Sequence, residues 1–105
     1  MQFTSFLEDG NLTIILTGEI DHHCAKHYIH AIDAKVEAYT PAICILDFSE
    51  VTFIDSSGVA VVINAYRAMN RICGHLLLPG IGSQPMKVFR AAGVDKIIEI
   101  REVTI

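Results

Sequence analysis

Asp55-Ser56-Ser57-Gly58 sets a carboxylate and two hydroxyls between two apolar patterns. Val51, Phe53 and Ile54 end an extended stretch before it, and Val59, Val62, Ile63, Tyr66 and Met69 recur at helical spacing after it. Asp, Ser and Gly are the residue types that cap helix N-termini. A hydroxyl placed there projects beside free backbone N–H groups at the positive end of a helix, where negative charge is favoured. The chemistry on offer is acceptance of a phosphate. An ordinary helix cap uses the same residues, and the tetrapeptide alone does not separate the two readings.

Other arrangements carry less. A serine hydrolase needs a Gly-x-Ser-x-Gly elbow or a His–Asp pair tied to an oxyanion hole; Ser57 lies in no such elbow, and Asp21-His22 is linked to no such hole. We therefore expect neither an enzyme nor a cofactor. His23, His27 and His30 share a narrow sector of the first expected helix, opposite Ile29, Ile32 and Val36. His23 and His27 have metal-binding spacing, but His30 lies about 10 Å along the axis from His23. No carboxylate or cysteine completes a ligand set, so this reads as a solvated polar face. Cys24, Cys44 and Cys73 are odd in number, widely spaced and without a Cys-x-x-Cys pair, which argues against a disulfide framework or zinc knuckle. Gly80-Ile81-Gly82-Ser83 lacks the lysine of a phosphate loop and reads as a strand–helix connection; nucleotide binding there is the weaker alternative.

The hydrophobic pattern defines the elements around Ser57. Phe3–Glu8 and Leu12–Thr17 read as a strand pair around the turn Asp9-Gly10-Asn11. Asp21 caps a helix running to about Tyr39, with Ala25, Tyr28, Ile29, Ile32 and Val36 on its apolar face. Ala42–Leu46 is a continuous apolar run, which suits a strand covered on both faces. A second helix spans about Ser57–Ile72, and Cys73-Gly74 closes it with a glycine C-cap. His75–Leu78 is a strand, Pro79–Gly82 a loop, and Ser83 caps a short helix that ends at Ala92 before Gly93. Lys96–Ile100 is the last strand. Alternation after the hairpin gives an α/β fold: a mixed β-sheet packed with helices through right-handed crossovers.

At about 100° per residue, Val59, Val62, Ile63, Tyr66 and Met69 share the expected core side of the second helix. Ser57, Ala60, Val61, Asn64, Ala68 and Arg71 lie opposite. That outer strip is small and apolar, so it is either a protein docking surface or is covered by a loop of the same chain.

A length of 105 residues fits one domain, residues 1–105, with a modest core. Eight Lys and Arg are scattered through a chain of net charge −4, which argues against nucleic acid as the main partner. No apolar run approaches the ~20 residues of a membrane helix, and Met1–Ser5 lacks the pattern of a signal peptide, so a cytoplasmic location is expected.

Thr17-Gly18-Glu19-Ile20-Asp21-His22-His23, then Asp47-Phe48-Ser49 and Val51–Gly58, then Val88-Phe89 and Ala92-Gly93-Val94 before Ile97–Ile100, succeed one another at characteristic intervals. In this order the chain resembles the anti-sigma factor antagonists of bacteria, the small STAS-domain proteins. The resemblance covers nearly the whole chain. It implies that Ser57 is a phosphorylation site. Asp55 would shape the acceptor loop, Ser56 would cap or support it, and Gly58 would permit close approach. It sets the Gly18–Asp21 segment beside the acceptor, and with the outer strip it points to Asp21, His22, Ala60, Val61 and Asn64 as partner-binding residues. The implied partner is both anti-sigma factor and serine protein kinase, with a serine phosphatase restoring the unmodified form. A STAS signalling or scaffold module outside sigma-factor control is the alternative. Many members of this family continue past the last strand into a further helix, for which Arg101–Ile105 is too short. The resemblance then leaves a sheet patch open or shared in a dimer, and oligomeric state stays open.

Overall fold

The structure is a computed structural model that describes residues 2–102. Among these residues the order is β1 (Gln2–Glu8), β2 (Asn11–Ile20), α1 (His22–Tyr39), β3 (Ile43–Ile54), α2 (Ser56–Arg71), β4 (His75–Ile81), α3 (Ser83–Ala91), a 3-10 turn (Val94–Lys96) and β5 (Glu99–Glu102). The five strands form one sheet in the order β1-β2-β3-β4-β5. β1 is antiparallel to β2, and the other neighbours are parallel. Asp9 (φ 52°) and Gly10 (φ 80°) join the hairpin between the paired residues Glu8 and Asn11. Two positive φ values in a two-residue loop match the right-handed twist of the flanking strands.

The strand order rises in one direction. Right-handed crossovers then set the helices on the same face of the sheet, and burial agrees. Leu12, Ile14 and Leu16 of β2, Cys44, Leu46 and Phe48 of β3, and Leu76 and Leu78 of β4 are buried. The register Leu12–Cys44–Leu76 aligns them across three strands. Tyr28, Ile32 and Val36 of α1, Val61, Val62 and Met69 of α2, and Phe89 of α3 complete the core. The alternate residues Ile15, Ile43, Ile45 and Leu77 are only half-buried. The expectation that β3 is covered on both faces is therefore corrected: one face is covered. Burial of Cys44 pushes its thiol up to about 12, so it behaves as a small hydrophobe.

Several boundaries also move. β3 runs to Ile54 and β4 to Ile81, so Pro79–Ile81 is strand rather than loop. Gly82, not Ser83, is the N-cap of α3. Lys96 belongs to the 3-10 turn and β5 begins at Glu99. At the end of α2 the left-handed residue is Cys73 (φ 58°), not Gly74. The Cys73 and Gly74 amides donate to the Asn70 and Met69 carbonyls at 3.1 and 2.9 Å, the paired bonds of a Schellman motif. Gly74 is needed for space instead: a Cβ there would sit 2.9 Å from the Ala42 carbonyl oxygen. The expected lack of a terminal helix concerns residues 103–105, which lie outside the described residues.

The buried side of α2 is rotated by about one residue from the sequence expectation. Gly58, Val61, Val62, Ala65, Ala68 and Met69 face inward, while Val59, Ile63 and Tyr66 are partly exposed. α1 packs against α2, and Val36 and Ala68 line the same crevice between them. Half of the inward residues of α2 are small: Gly58, Ala65 and Ala68. A wheel weighted by large side chains overlooks that contribution.

Candidate functional site

β2 and β3 end side by side. Ile20 and Ile54 are register partners, and the Asp55 amide donates to the Ile20 carbonyl at 3.2 Å. Each strand is followed by an aspartate in extended conformation, Asp21 (φ −122°, ψ −176°) and Asp55 (φ −108°, ψ −168°). Each carboxylate accepts from the amide two residues on, His23 to Asp21 at 3.0 Å and Ser57 to Asp55 at 2.7 Å. These are Asp N-caps, which satisfy amides that the helix itself leaves unpaired. Because the strands are neighbours, about 4.8 Å apart, the N-termini of α1 and α2 lie side by side at the carboxyl ends of β2 and β3. His22-His23 and Ser56-Ser57 hold equivalent positions on the two helices.

The site therefore concentrates two positive helix ends, two carboxylates, two imidazoles and two hydroxyls. The rings of His22 and His23 lie 3.9 Å apart between centroids. The Cys24 thiol donates to the Asp21 and Glu19 carbonyls at 3.5 and 3.6 Å. Desolvation acts to raise the pKa of the Asp21 carboxyl. Hydrogen bonds from the His23 amide and from the Cys24 thiol and amide, with the His23 charge, outweigh it and hold the carboxyl below its usual 3.8.

Ser56 is the first residue of α2 and is exposed; Ser57 is partly exposed. Asp55 is the cap, so of the two roles expected of Ser56, capping or support, capping is corrected. The free amides expected beside the hydroxyls are in part taken: Ser57 N–H by the Asp55 carboxylate, and Gly58 N–H by the Asp55 carbonyl at 3.0 Å. The close approach expected at Gly58 is made within the chain. A Cβ there would meet Ile54 Cβ at 2.8 Å, so the first turn of α2 rests on the end of β3.

The expected partner-binding residues divide. Ala60 and Asn64 are exposed, as is His22, and the Asn64 side-chain amide donates to the Ala60 carbonyl at 2.8 Å. With Ser56 they form an exposed strip at four-residue spacing. Asp21 is half-buried on the neighbouring helix end. Val61 is 0% exposed and belongs to the core, so its assignment to a docking surface is corrected. It faces the sheet, where α2 is held down by Gly58 one turn earlier. On the other side of Ser56 a groove of about 510 Å³ opens between α2 and α3, lined by Ser56, Val59, Lys87, Val88, Ala91 and Ala92.

One residue at this site has no signal in the sequence. Gln84, in the first turn of α3, accepts from the Ile54 amide through Oε1 and donates to the Ile54 carbonyl through Nε2, each at 2.9 Å. Ile54 is fully buried, and leaving one of its backbone groups unpaired would cost about 1–3 kcal/mol. The partners stand 30 residues apart, and no local pattern marks them. At Gly80 (φ 76°) an added Cβ would lie 2.9 Å from the Ser49 amide nitrogen. This glycine serves close packing against β3.

Among the described residues no group of three or more His, Cys, Asp or Glu is placed to hold a metal ion, and no helix is long and apolar enough to cross a membrane.

The comparisons with known proteins agree with this architecture. The anti-sigma-B factor antagonist of Listeria monocytogenes is 27% identical over 96 residues, 91% of this chain and 83% of that protein. The anti-sigma F factor antagonist of Lysinibacillus sphaericus is 30% identical over 83 residues, 79% of this chain and 71% of that protein. The anti-sigma factor antagonist SpoIIAA in its unphosphorylated form superposes with a TM-score of 0.84 at 25% identity, covering 98% of this chain and 89% of that one. The phosphorylated form of the Bacillus cell fate determinant SpoIIAA gives 0.75 at 25% identity over 98% and 92%. The family model described as the STAS domain matches residues 7–104. A match over that span, on a fold shared with SpoIIAA, leads to one conclusion: this chain belongs to the STAS domain family.

Proposed function

We propose that the protein is an anti-sigma factor antagonist controlled by reversible phosphorylation of Ser57. The observation that carries this reading is the acceptor turn, where Asp55-Ser56-Ser57-Gly58 begins a helix beside the Asp21-His22-His23 helix start. Relatives named as antagonists, and a similar protein solved with and without phosphate, support it.

The unmodified chain docks on an anti-sigma factor that is also a serine kinase, through the Ser56–Ala60–Asn64 strip and the adjoining Asp21-His22 turn. Docking releases the sigma factor. The chain is then substrate, not catalyst: Ser57 Oγ attacks the terminal phosphorus of ATP, the bond to the ADP oxygen breaks, and the hydroxyl proton passes to a base of the kinase. The kinase supplies nucleotide and metal. The modification adds about −1.5 to −2 charge at a helix N-terminus, which tolerates it. The interface does not tolerate it, because a bulky dianion beside Asp21 and Asp55 must be desolvated against a surface shaped for a hydroxyl. A change of a few kcal/mol weakens binding by about 100-fold or more. A phosphatase reverses the step. Net charge −4 with scattered cations suits a protein partner rather than nucleic acid.

The test is capture from native lysate with the wild-type chain and with Ser57→Asp, followed by phosphate mapping with the captured kinase and ATP. We expect an ATP-binding kinase with the wild type, its loss with Ser57→Asp, and phosphate on Ser57 that is absent in Ser57→Ala. Phosphate confined to Ser56 would refute the residue assignment. Recovery of a large scaffold in place of a kinase would refute the sigma-pathway reading.

A further inference from the structure

We propose that Gln84 is a positioning residue for the acceptor turn, holding Ser57 in the geometry that phosphoryl transfer requires. The inference rests on Ser57 being the acceptor and adds a residue of α3 to its support.

The basis is an incomplete sheet. The β3–β4 ladder pairs Ile43 to Ile45 with His75 to Leu77 and stops there, while β3 runs on to Ile54. Successive residues of a parallel strand direct their backbone groups to opposite neighbours. Asp55 turns its amide to β2, where the Ile20 carbonyl accepts it. Ile54 turns its N–H and C=O the other way, to the side where the β4 ladder has ended. The Gln84 side-chain amide fills that place with one donor and one acceptor, both at 2.9 Å. It acts as a one-residue strand.

The acceptor turn begins directly after Ile54. Ile54 also carries the side chain against which Gly58 packs. The Gln84 pair therefore fixes the residue from which Asp55 caps α2 and from which Ser57 is aimed. The side-chain amide accepts from the N–H through Oε1 and donates to the C=O through Nε2 at the same time. A carboxylate satisfies the N–H and opposes the C=O. A protonated carboxyl again supplies one donor and one acceptor.

The first readout needs only the isolated chain: site-resolved amide hydrogen exchange in wild type, Gln84→Ala and Gln84→Glu, expressed as protection factors. We expect Gln84→Ala to lower protection at Ile54 and Ser57 by about tenfold or more while Ile14 and Cys44 keep theirs, as expected for local rather than global opening. Gln84→Glu shows the same loss at pH 7 and regains protection near pH 4, as its carboxyl protonates; the wild type shows no such dependence. The second readout is phosphorylation of Ser57 by the kinase captured with the wild-type chain, with ATP. Gln84→Ala lowers kcat by about tenfold with a smaller change in KM, because a loosened acceptor is penalised at the chemical step. Unchanged protection at Ile54 and Ser57, or an equal loss across the whole core, overturns the proposal. So does an unchanged kcat when wild-type Ser57 is phosphorylated, which leaves the acceptor reading intact. A wild-type chain that takes no phosphate on Ser57 overturns both, whatever the exchange pattern.

Discussion

Asp21 and Asp55 do the same physical task on adjacent helices, and the Asp21 cap has a pH signature that can be measured. Its carboxyl is held below 3.8 in the folded chain. A folded-state pKa below the unfolded value means that the folded state prefers the ionised form. The resulting stability is fully present above about pH 3.8 and is lost as pH falls through the lowered folded value. Asp21→Asn retains a capping oxygen and loses the charge. We expect wild type to exceed Asp21→Asn in stability at neutral pH and the gap to shrink below pH 3.8; urea midpoints taken from pH 2 to 7 measure it, and a gap that persists in acid would contradict the assignment. The Asp21 cap is legible in the sequence, because an aspartate before a helical pattern has a local reason to be there. Ser56 has the right residue type to share that task, but Asp55 stands one position earlier and its carboxylate takes the Ser57 amide.

At the scale of elements, α2 is held by small residues as much as by large ones. Adding a methyl at Gly58 forces a contact of 2.8 Å with the Cβ of Ile54, in a fully buried strand end. Gly58→Ala should destabilise by about 1–3 kcal/mol. Val61→Ala removes two buried methyl groups and leaves a cavity, for roughly 2 kcal/mol. Ala60→Ser, one residue away on the exposed strip, should change stability by under about 0.5 kcal/mol. Thermal unfolding separates the three, since each kcal/mol moves Tm by about 4–8 °C in a domain of this size. A Val61→Ala chain as stable as Ala60→Ser would return Val61 to the surface. The Asp33–Arg71 ion pair between α1 and α2 spans 3.1 Å with both side chains more than half exposed, so it contributes little beside this packing.

The whole molecule is one sheet with its helices on one face, and the core runs unbroken from β2 to the turn after α3. Leu12, Tyr28, Cys44, Val62, Phe89 and Val94 belong to a single buried cluster. Phe48 and Phe89 meet edge to face at 5.4 Å, which ties α3 to β3. Unfolding in urea should therefore be one transition, coincident by circular dichroism and by tyrosine fluorescence. An earlier separate transition of α3 would contradict this and would also undercut the coupling of Gln84 to the acceptor turn. The opposite sheet face carries half-buried Ile15, Ile43, Ile45 and Leu77 beside Phe6, which is 48% exposed.

The order of elements, the hairpin and the Asp21 cap are all legible in the sequence. They depend on periodicity and on side chains that act within three or four residues of themselves. Asp55-Ser56-Ser57-Gly58 stands out for the same reason, because helix-capping chemistry is local. Tertiary contacts alone set the side of α2 that is buried, the single covered face of the sheet and the tie from Gln84 to Ile54. Each of these depends on which segments become neighbours. Burial of Val61 requires the rest of the core cluster assembled around it, and Gln84 meets Ile54 because the β4 ladder ends before β3 does. No window of sequence contains both partners of such a contact, so only the folded chain brings them together.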